Sequence, residues 1–173
     1  MGLIRSLPGP SFEGKPMVPS DQLRKIQFLS DLPEEILEKI SPHARQAVFE
    51  PDTILIRQND PQHLVHMLVS GKILLNTRSD TGRVLTLDEI APGQSFGLSA
   101  LFGKSGATFT AVCTEPCDII VLSGDLMAKL FETDHRIGYA VMRRVAQLFK
   151  DRMNKHTGQF LRSLSMHPAI NPV

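Results

Sequence analysis

No stretch of this 173-residue chain approaches the roughly 20 consecutive apolar residues that a bilayer-spanning helix requires. The N-terminus, MGLIRSLPGP, lacks the apolar core of a secretion signal. Gly2 and Ser6 do fit the M-G-x-x-x-S pattern for myristoylation, but one acyl chain would anchor only marginally. Cysteine is scarce. Cys113 and Cys117 cannot make a disulfide framework, so a reducing, cytoplasmic setting is expected. Charge is balanced to a net +1, which removes bulk attraction to nucleic acid or acidic membranes as an explanation. Strands alternating with long helices are also missing, which argues against a parallel doubly wound sheet.

What is present divides into four stretches. Residues 1–27 begin with Pro8, Pro10, Pro16 and Pro19 and read as an arm or linker rather than a packed element. SDLPEEILEKI then starts a helix, with Asp31 and Glu34 at capping-box spacing and Pro33 in the first turn. Leu32, Ile36, Leu37 and Ile40 give that helix one apolar face. Within a domain expected over 28–133, short β-branched runs follow one another from about residue 46 to 122: TILIR, LVHMLV, KILLNT, RVLTLDEI, TFTAV and CDIIVL. Turn chemistry at NDP, SG, DTG and PG separates them, so an antiparallel barrel or sandwich is expected. Ser123 and Asp125 open a short helix, and a longer one is expected over 134–157, with a tail at 158–173. Ile137, Val141, Val145 and Leu148 recur along the long helix at three- and four-residue spacing, with Phe149 and Met153 widening the stripe. One barrel leaves that stripe without an obvious intrachain partner, so pairing with a second copy is expected. Its basic residues, Arg136, Arg143, Arg144, Lys150, Arg152 and Lys155, read as the solvated face.

The segment SFGLSALFGKSGATFTAV, residues 95–112, looks like a phosphate cradle. Gly103-Lys104-Ser105 matches the end of a P-loop, but Gly97 stands one residue too far upstream and a strand follows where a helix is needed. Gly97-Leu98-Ser99-Ala100 begins like a hydrolase elbow, but Leu101 replaces its last glycine and the α/β surroundings are absent. Neither motif holds.

The order of signals is more specific than any one glycine pattern. LPEEILEKI, NDPQHLVHMLVSGKILL, DTGRVLTLDEIAPGQSFG and CDIIVL, in that sequence over about residues 28–153, resemble the cyclic nucleotide-binding domain of the catabolite activator family. The resemblance implies a mainly β fold with flanking helices, an antiparallel β-roll or jelly-roll barrel followed by a long C-terminal helix. It places the ligand against Phe96, Gly97, Leu98, Ser99, Ala100, Lys104, Ala107, Thr108 and Thr110. The family's cassette reads F-G-E-x-A-L and then R-[ST]-A-T; here Leu98 stands for the ribose-binding glutamate and Ala107 for the phosphate-pairing arginine. Truncating one partner of such a buried charge pair costs about 2–5 kcal/mol, roughly 30- to several-thousand-fold in affinity.

The resulting expectation is a non-enzymatic sensor or interaction module whose pocket takes a different small ligand or none. One alternative is true cyclic AMP or cyclic GMP binding through Lys104, Thr108 and turn amides; another is a ligand-free dimerisation module. A homodimer through Ile137, Val141, Val145 and Leu148 is expected, a protein partner is admitted, and no membrane partner or cofactor is called for. The family's regulators read DNA with a helix-turn-helix after the long helix. TGQFLRSLSMHPAINPV is too short for one, so no direct DNA binding is expected. His63 and His66, three apart in a strand, face opposite sides and cannot share a metal; surface or strand-end positions are expected for both. Cys113 and Cys117 are a poor zinc pair and read as small core or turn residues.

Overall fold

β-branched runs cut by turn residues give eight short strands in this computed structural model, which describes residues 14–103 and 106–165. In chain order the elements are α1 (Ser20–Leu23), α2 (Glu34–Ile40), β1 (Ala44–Phe49), β2 (Ile54–Ile56), β3 (Leu64–Ser70) and β4 (Ile73–Arg78). Then come β5 (Val84–Ile90), β6 (Ser95–Phe96), a 3-10 turn (Leu98–Phe102), β7 (Thr110–Cys113), β8 (Cys117–Ser123), α3 (Gly124–Thr133) and α4 (His135–Ser165). The strands form two antiparallel sheets, ordered β1-β8-β3-β6 and β2-β7-β4-β5. The expected mainly β architecture with flanking helices and a long C-terminal helix is what the chain adopts. No helix among the described residues is long and apolar enough to cross a membrane.

The unbroken apolar run of β8 has a physical reason, since that strand is covered on both faces. Ile119 and Val121 enter the layer between the sheets, where they meet Leu55, Ile73, Leu75 and Phe96. Ile120 and Leu122, pointing the other way, meet a layer of helices. β3 divides likewise, with Leu68 inside the sandwich and Val65 and Met67 beneath the helices. β5 is the opposite case, leaving Val84, Leu85 and Leu87 exposed.

The helical layer overturns two expectations. Val18, Leu23 and Ile26 are buried, as is Leu29 just beyond them, and Met17 pairs with Arg45 at the edge of β1, so this part of the arm is a packed element. Val18, Leu23, Ile26 and Leu29 share one apolar cluster with Leu37, Ile40, Met127 and the apolar stripe of α4. Ile137, Val141 and Val145 are fully buried within one chain, and Leu148 is partly buried against the same cluster. Ile137, Val141 and Val145 therefore leave no surface there for a second copy to meet. The stripe finds its partners within the chain, in α3 and in the N-terminal residues of the same apolar cluster, where each fully buried aliphatic side chain contributes about 1.5–3 kcal/mol relative to exposure.

Asp31 does not cap α2: Pro33 holds the N-cap position without a side-chain bond, while Asp31 pairs with Arg144 at 2.9 Å and Glu34 accepts from Ser20 and Arg24. α4 runs to Ser165, past the expected end at residue 157, so the tail begins as helix. β1 is only partly anticipated by the sequence pattern and β6 not at all. The myristoylation pattern at Gly2 and Ser6 lies outside the described residues, as do Pro8, Pro10, Lys104, Ser105 and 166–173.

Candidate functional site

The glycine turn is shaped by one residue that has to be glycine. Gly97 sits at φ 70°, and a Cβ there would lie 2.7 Å from Gln62 Nε2 and 2.8 Å from the Leu64 carbonyl oxygen. The chain then tightens into the 3-10 turn Leu98–Phe102. A second close approach clamps the far side, where a Cβ on Gly124 would meet the Ala100 carbonyl oxygen at 2.1 Å. The start of α3 is thereby packed directly against the turn. On the outer side, the β2–β3 loop pairs with the chain leaving the turn: Asn59 N donates to the Ala107 carbonyl at 2.7 Å and Ala107 N to the Asp60 carbonyl at 2.9 Å.

Between these elements lies a cavity of about 260 Å³. Gly97, Leu98, Ser99, Ala107 and Thr108 line it, five of the residues the family resemblance assigned to a ligand. Gln62, Gly106, Phe109, Phe149 and Arg152 complete the wall. Leu98 and Ala107 are buried. Lys104 lies outside the described residues. Phe96 is buried in the sandwich and does not reach the cavity. Ala100 packs toward α3. Thr110 faces the other way, its hydroxyl oxygen accepting from Gln58 N at 3.1 Å.

Arg152 was expected in solvent and is instead the one cation on this cavity among the described residues. Its guanidinium donates to the Ser95 carbonyl, and burial lowers its pKa against the opposing charge of Asp88. An arginine keeps its charge regardless, so the cavity carries a fixed positive group. The sequence held a signal for it, since Val141, Val145 and Leu148 define a buried face and residue 152 is the next position on it. A charged residue on an apolar stripe was the clue. Beside it, Phe149 meets Phe102 of the turn with ring centroids 5.9 Å apart. One turn further, Lys155 Nζ reaches Asp88 Oδ1 of β5 at 2.6 Å, and His156 Nε2 lies 3.8 Å from Oδ2. Burial raises the proton affinity of Asp88, but the hydrogen bond and charge of Lys155 outweigh it and hold the carboxyl below its ordinary range. Arg144 is likewise only partly solvated, pairing with Asp31 and donating to the Gln27 carbonyl.

His66 is buried, 2% exposed, and stacked on Phe96 at 4.9 Å, which corrects the surface reading. Desolvation pushes its pKa down to about 4, so the ring is neutral at physiological pH. His63 is exposed. Among the described residues no group of three His, Cys, Asp or Glu side chains is placed to hold a metal. Cys113 and Cys117 are free and buried. Burial and the neighbouring Cys117 thiol push Cys113 up to about 12, far from a reactive thiolate.

A family model described as a cyclic nucleotide-binding domain matches residues 46–134. The acetyltransferase Pat of Mycolicibacterium smegmatis is 31% identical over 94 residues, a match that takes in 54% of this chain and 28% of that protein. The chain thus spans little more than a quarter of the relative. A cyclic nucleotide-binding domain from Methylobacillus flagellatus KT superposes with a TM-score of 0.73 at 19% identity, over 83% of this chain and 80% of the other. The catabolite activator protein of Thermus thermophilus gives 0.67 at 20% identity, over 80% and 63% of the two chains. At those identities the likeness is one of fold.

Proposed function

The chain belongs to the cyclic nucleotide-binding domain family, and from that membership we propose a non-enzymatic, ligand-responsive regulatory module whose ligand is held from the long helix rather than from the glycine turn. The observation that carries this reading is where the charge sits. Leu98 and Ala107 present apolar surface where the family's cassette carries a glutamate and an arginine, while Arg152 of α4 brings a cation to the same cavity. A cyclic phosphate seated against the turn would be desolvated without its bidentate partner. Leu98, Ala107, Phe109 and Phe149 suit instead a small ligand with an apolar body and one anionic or acceptor group facing Arg152.

Such a ligand acts on α4 directly, because Phe149 and Arg152 belong both to the cavity wall and to the helix. The homodimer expected from the sequence moves to another face of that helix. Ala146, Met153 and Phe160 repeat every seven residues, Phe149 falls between them, and all four are exposed. Beyond His156 the described residues show no bond from α4 back to the sheets, and an isolated helix end is marginal in water. A second copy covering this seam would place Phe149 between ligand and partner. Two free buried thiols support a reducing, cytoplasmic setting.

Calorimetry decides between this reading and true cyclic nucleotide binding. Cyclic AMP and cyclic GMP are expected to bind the chain no more tightly than about millimolar, and the double variant Leu98→Glu, Ala107→Arg to gain roughly 30-fold or more. Small aromatic monocarboxylates that raise the melting temperature are expected to lose at least about tenfold in affinity in Arg152→Gln. Micromolar cyclic AMP binding by the parent chain, unchanged in Arg152→Gln, would sink the proposal.

A further inference from the structure

A second cavity, of about 480 Å³, opens away from the first. In β4 and β7, Leu75 and Ala111 pair in register and enter the sandwich core; Asn76 and Thr110, the next pair, therefore face outward. The cavity lies on that outer face, at the end where the β2–β3 loop and the β4–β5 hairpin meet. Eight of its nine lining residues are polar, two of them are Arg57 and Arg78, and no carboxylate is among them. Asp60 and Asp80 follow Asn59 and Ser79 in sequence but do not line it.

Three of its side-chain acceptors are already engaged, while most of its donors are not. Thr110 Oγ1 accepts from Gln58 N, Gln58 Oε1 from Arg78 N at 2.9 Å, and Asn76 Oδ1 from Thr86 at 3.0 Å. Arg78 uses Nη1 on the Gly82 carbonyl at 3.1 Å. The side chains of Arg57 and Asn59 make no bond among the described residues, and the Asn76 amide group stays free to donate. Two guanidinium forks and two carboxamides around a concave space match an oxygen-rich anion. A concavity of this size falls within the range of small-molecule sites, about 300–1,000 Å³, whereas an acidic protein segment would be met by a flatter, wider field of charge. We propose that this outer basin binds the phosphoryl group of a small metabolite, a phosphomonoester or diphosphate.

The basin is joined to the ligand cavity by one loop. Arg57, Gln58 and Asn59 line the basin, while the same loop bonds Ala107 through Asn59 N and the Asp60 carbonyl and bridges Gly106 through Pro61. Asn59 itself sits at φ 73°, in the left-handed region. A phosphoryl group drawing on Arg57 and Asn59 therefore pulls on the segment that frames Ala107 and Thr108.

The test is an amide-resolved NMR titration of the full ¹⁵N-labelled chain with pyrophosphate and with adenosine 5′-monophosphate. Malonate and a glutamate-rich peptide serve as controls. The expected result is saturable shifts at residues 57–59, 76–79 and 110 that extend to Ala107. Affinity should fall at least about tenfold in the double variant Arg57→Gln, Arg78→Gln, with melting unchanged because both side chains are exposed. Arg152→Gln should bind pyrophosphate as the parent does, which keeps this outcome separate from that of the inner cavity. Shifts centred on Leu98 and Thr108, undiminished binding by the double variant, or tighter binding of the peptide than of pyrophosphate would each overturn the assignment.

Discussion

The two halves of α4 carry the same apolar spacing and meet different fates. From Ile137 to Val145 the stripe is sealed in the cluster formed by α3 and the N-terminal residues, and ion pairs pin its flanks: Lys39 to Asp134 at 2.8 Å and Arg144 to Asp31 at 2.9 Å. From Phe149 onward the apolar residues lie open, with Phe149 43%, Met153 63% and Phe160 60% exposed. Here polar grips hold the helix instead, Arg152 on the Ser95 carbonyl and Lys155 on Asp88. Periodicity states that a helix face is apolar; it does not state what covers it. The first half is part of the core, and the second is where a ligand or a second copy has something to act on.

The strongest way to break this comparison is to cut equally into both halves. Ile137→Ala removes atoms from a fully buried site and is expected to cost about 2–5 kcal/mol. Urea unfolding followed by circular dichroism measures it. Met153→Ala, at an exposed site, is expected to shift stability by no more than about 0.5 kcal/mol. Equal losses in the two variants would mean that the halves are one structural unit.

How far the chain could be read follows from the same physics. Six strands, the short helix after β8 and the long helix were legible because the strands are short β-branched runs cut by turn residues and the helices carry apolar residues at helical spacing. β1 was read only in part, since Ala44, Arg45 and Gln46 carry no β-branched signal, and β6 is two residues long. The packed segment around Val18 was hidden by prolines, which mark turns but do not prevent the residues between them from being buried. The cavity was half legible. Gly97, Leu98, Ser99, Ala107 and Thr108 are contiguous and follow a motif, whereas Gln62, Phe149 and Arg152 arrive from distant elements through tertiary packing. Reading Arg152 as solvated followed charge alone and ignored its place on the buried face.

An intermediate effect sharpens the contrast through pH. Asp88 is held below its ordinary pKa in the folded chain, so its contribution is fully present above about pH 4, the unfolded carboxyl's range. It is lost as pH falls through the lower folded value. Acidification is therefore expected to release the Lys155 end of α4 while the buried stripe of the first half holds. Hydrogen exchange between pH 5 and 3 should show protection falling first at residues 152–160. Asp88→Asn should remove that acid step and, with Lys155 half exposed, cost less than about 1 kcal/mol at neutral pH. Equal acid sensitivity at Val141 would contradict it.

The smallest change in stability carries the sharpest information about assembly. Phe160→Glu alters an exposed residue on the outer turns of α4 and should move the melting free energy of a dilute sample by at most about 0.5 kcal/mol. If Ala146, Phe149, Met153 and Phe160 form a seam with a second copy, the charge is desolvated at that seam and opposes its twin across the two-fold axis. Sedimentation equilibrium should then show the parent chain as a dimer and the variant as a monomer, with helix content conserved. An Ile137→Val variant, conservative within the core, should remain a dimer, because that side chain is fully buried within its own chain. A parent chain that is monomeric at high protein concentration would instead leave the seam free for a partner of different sequence.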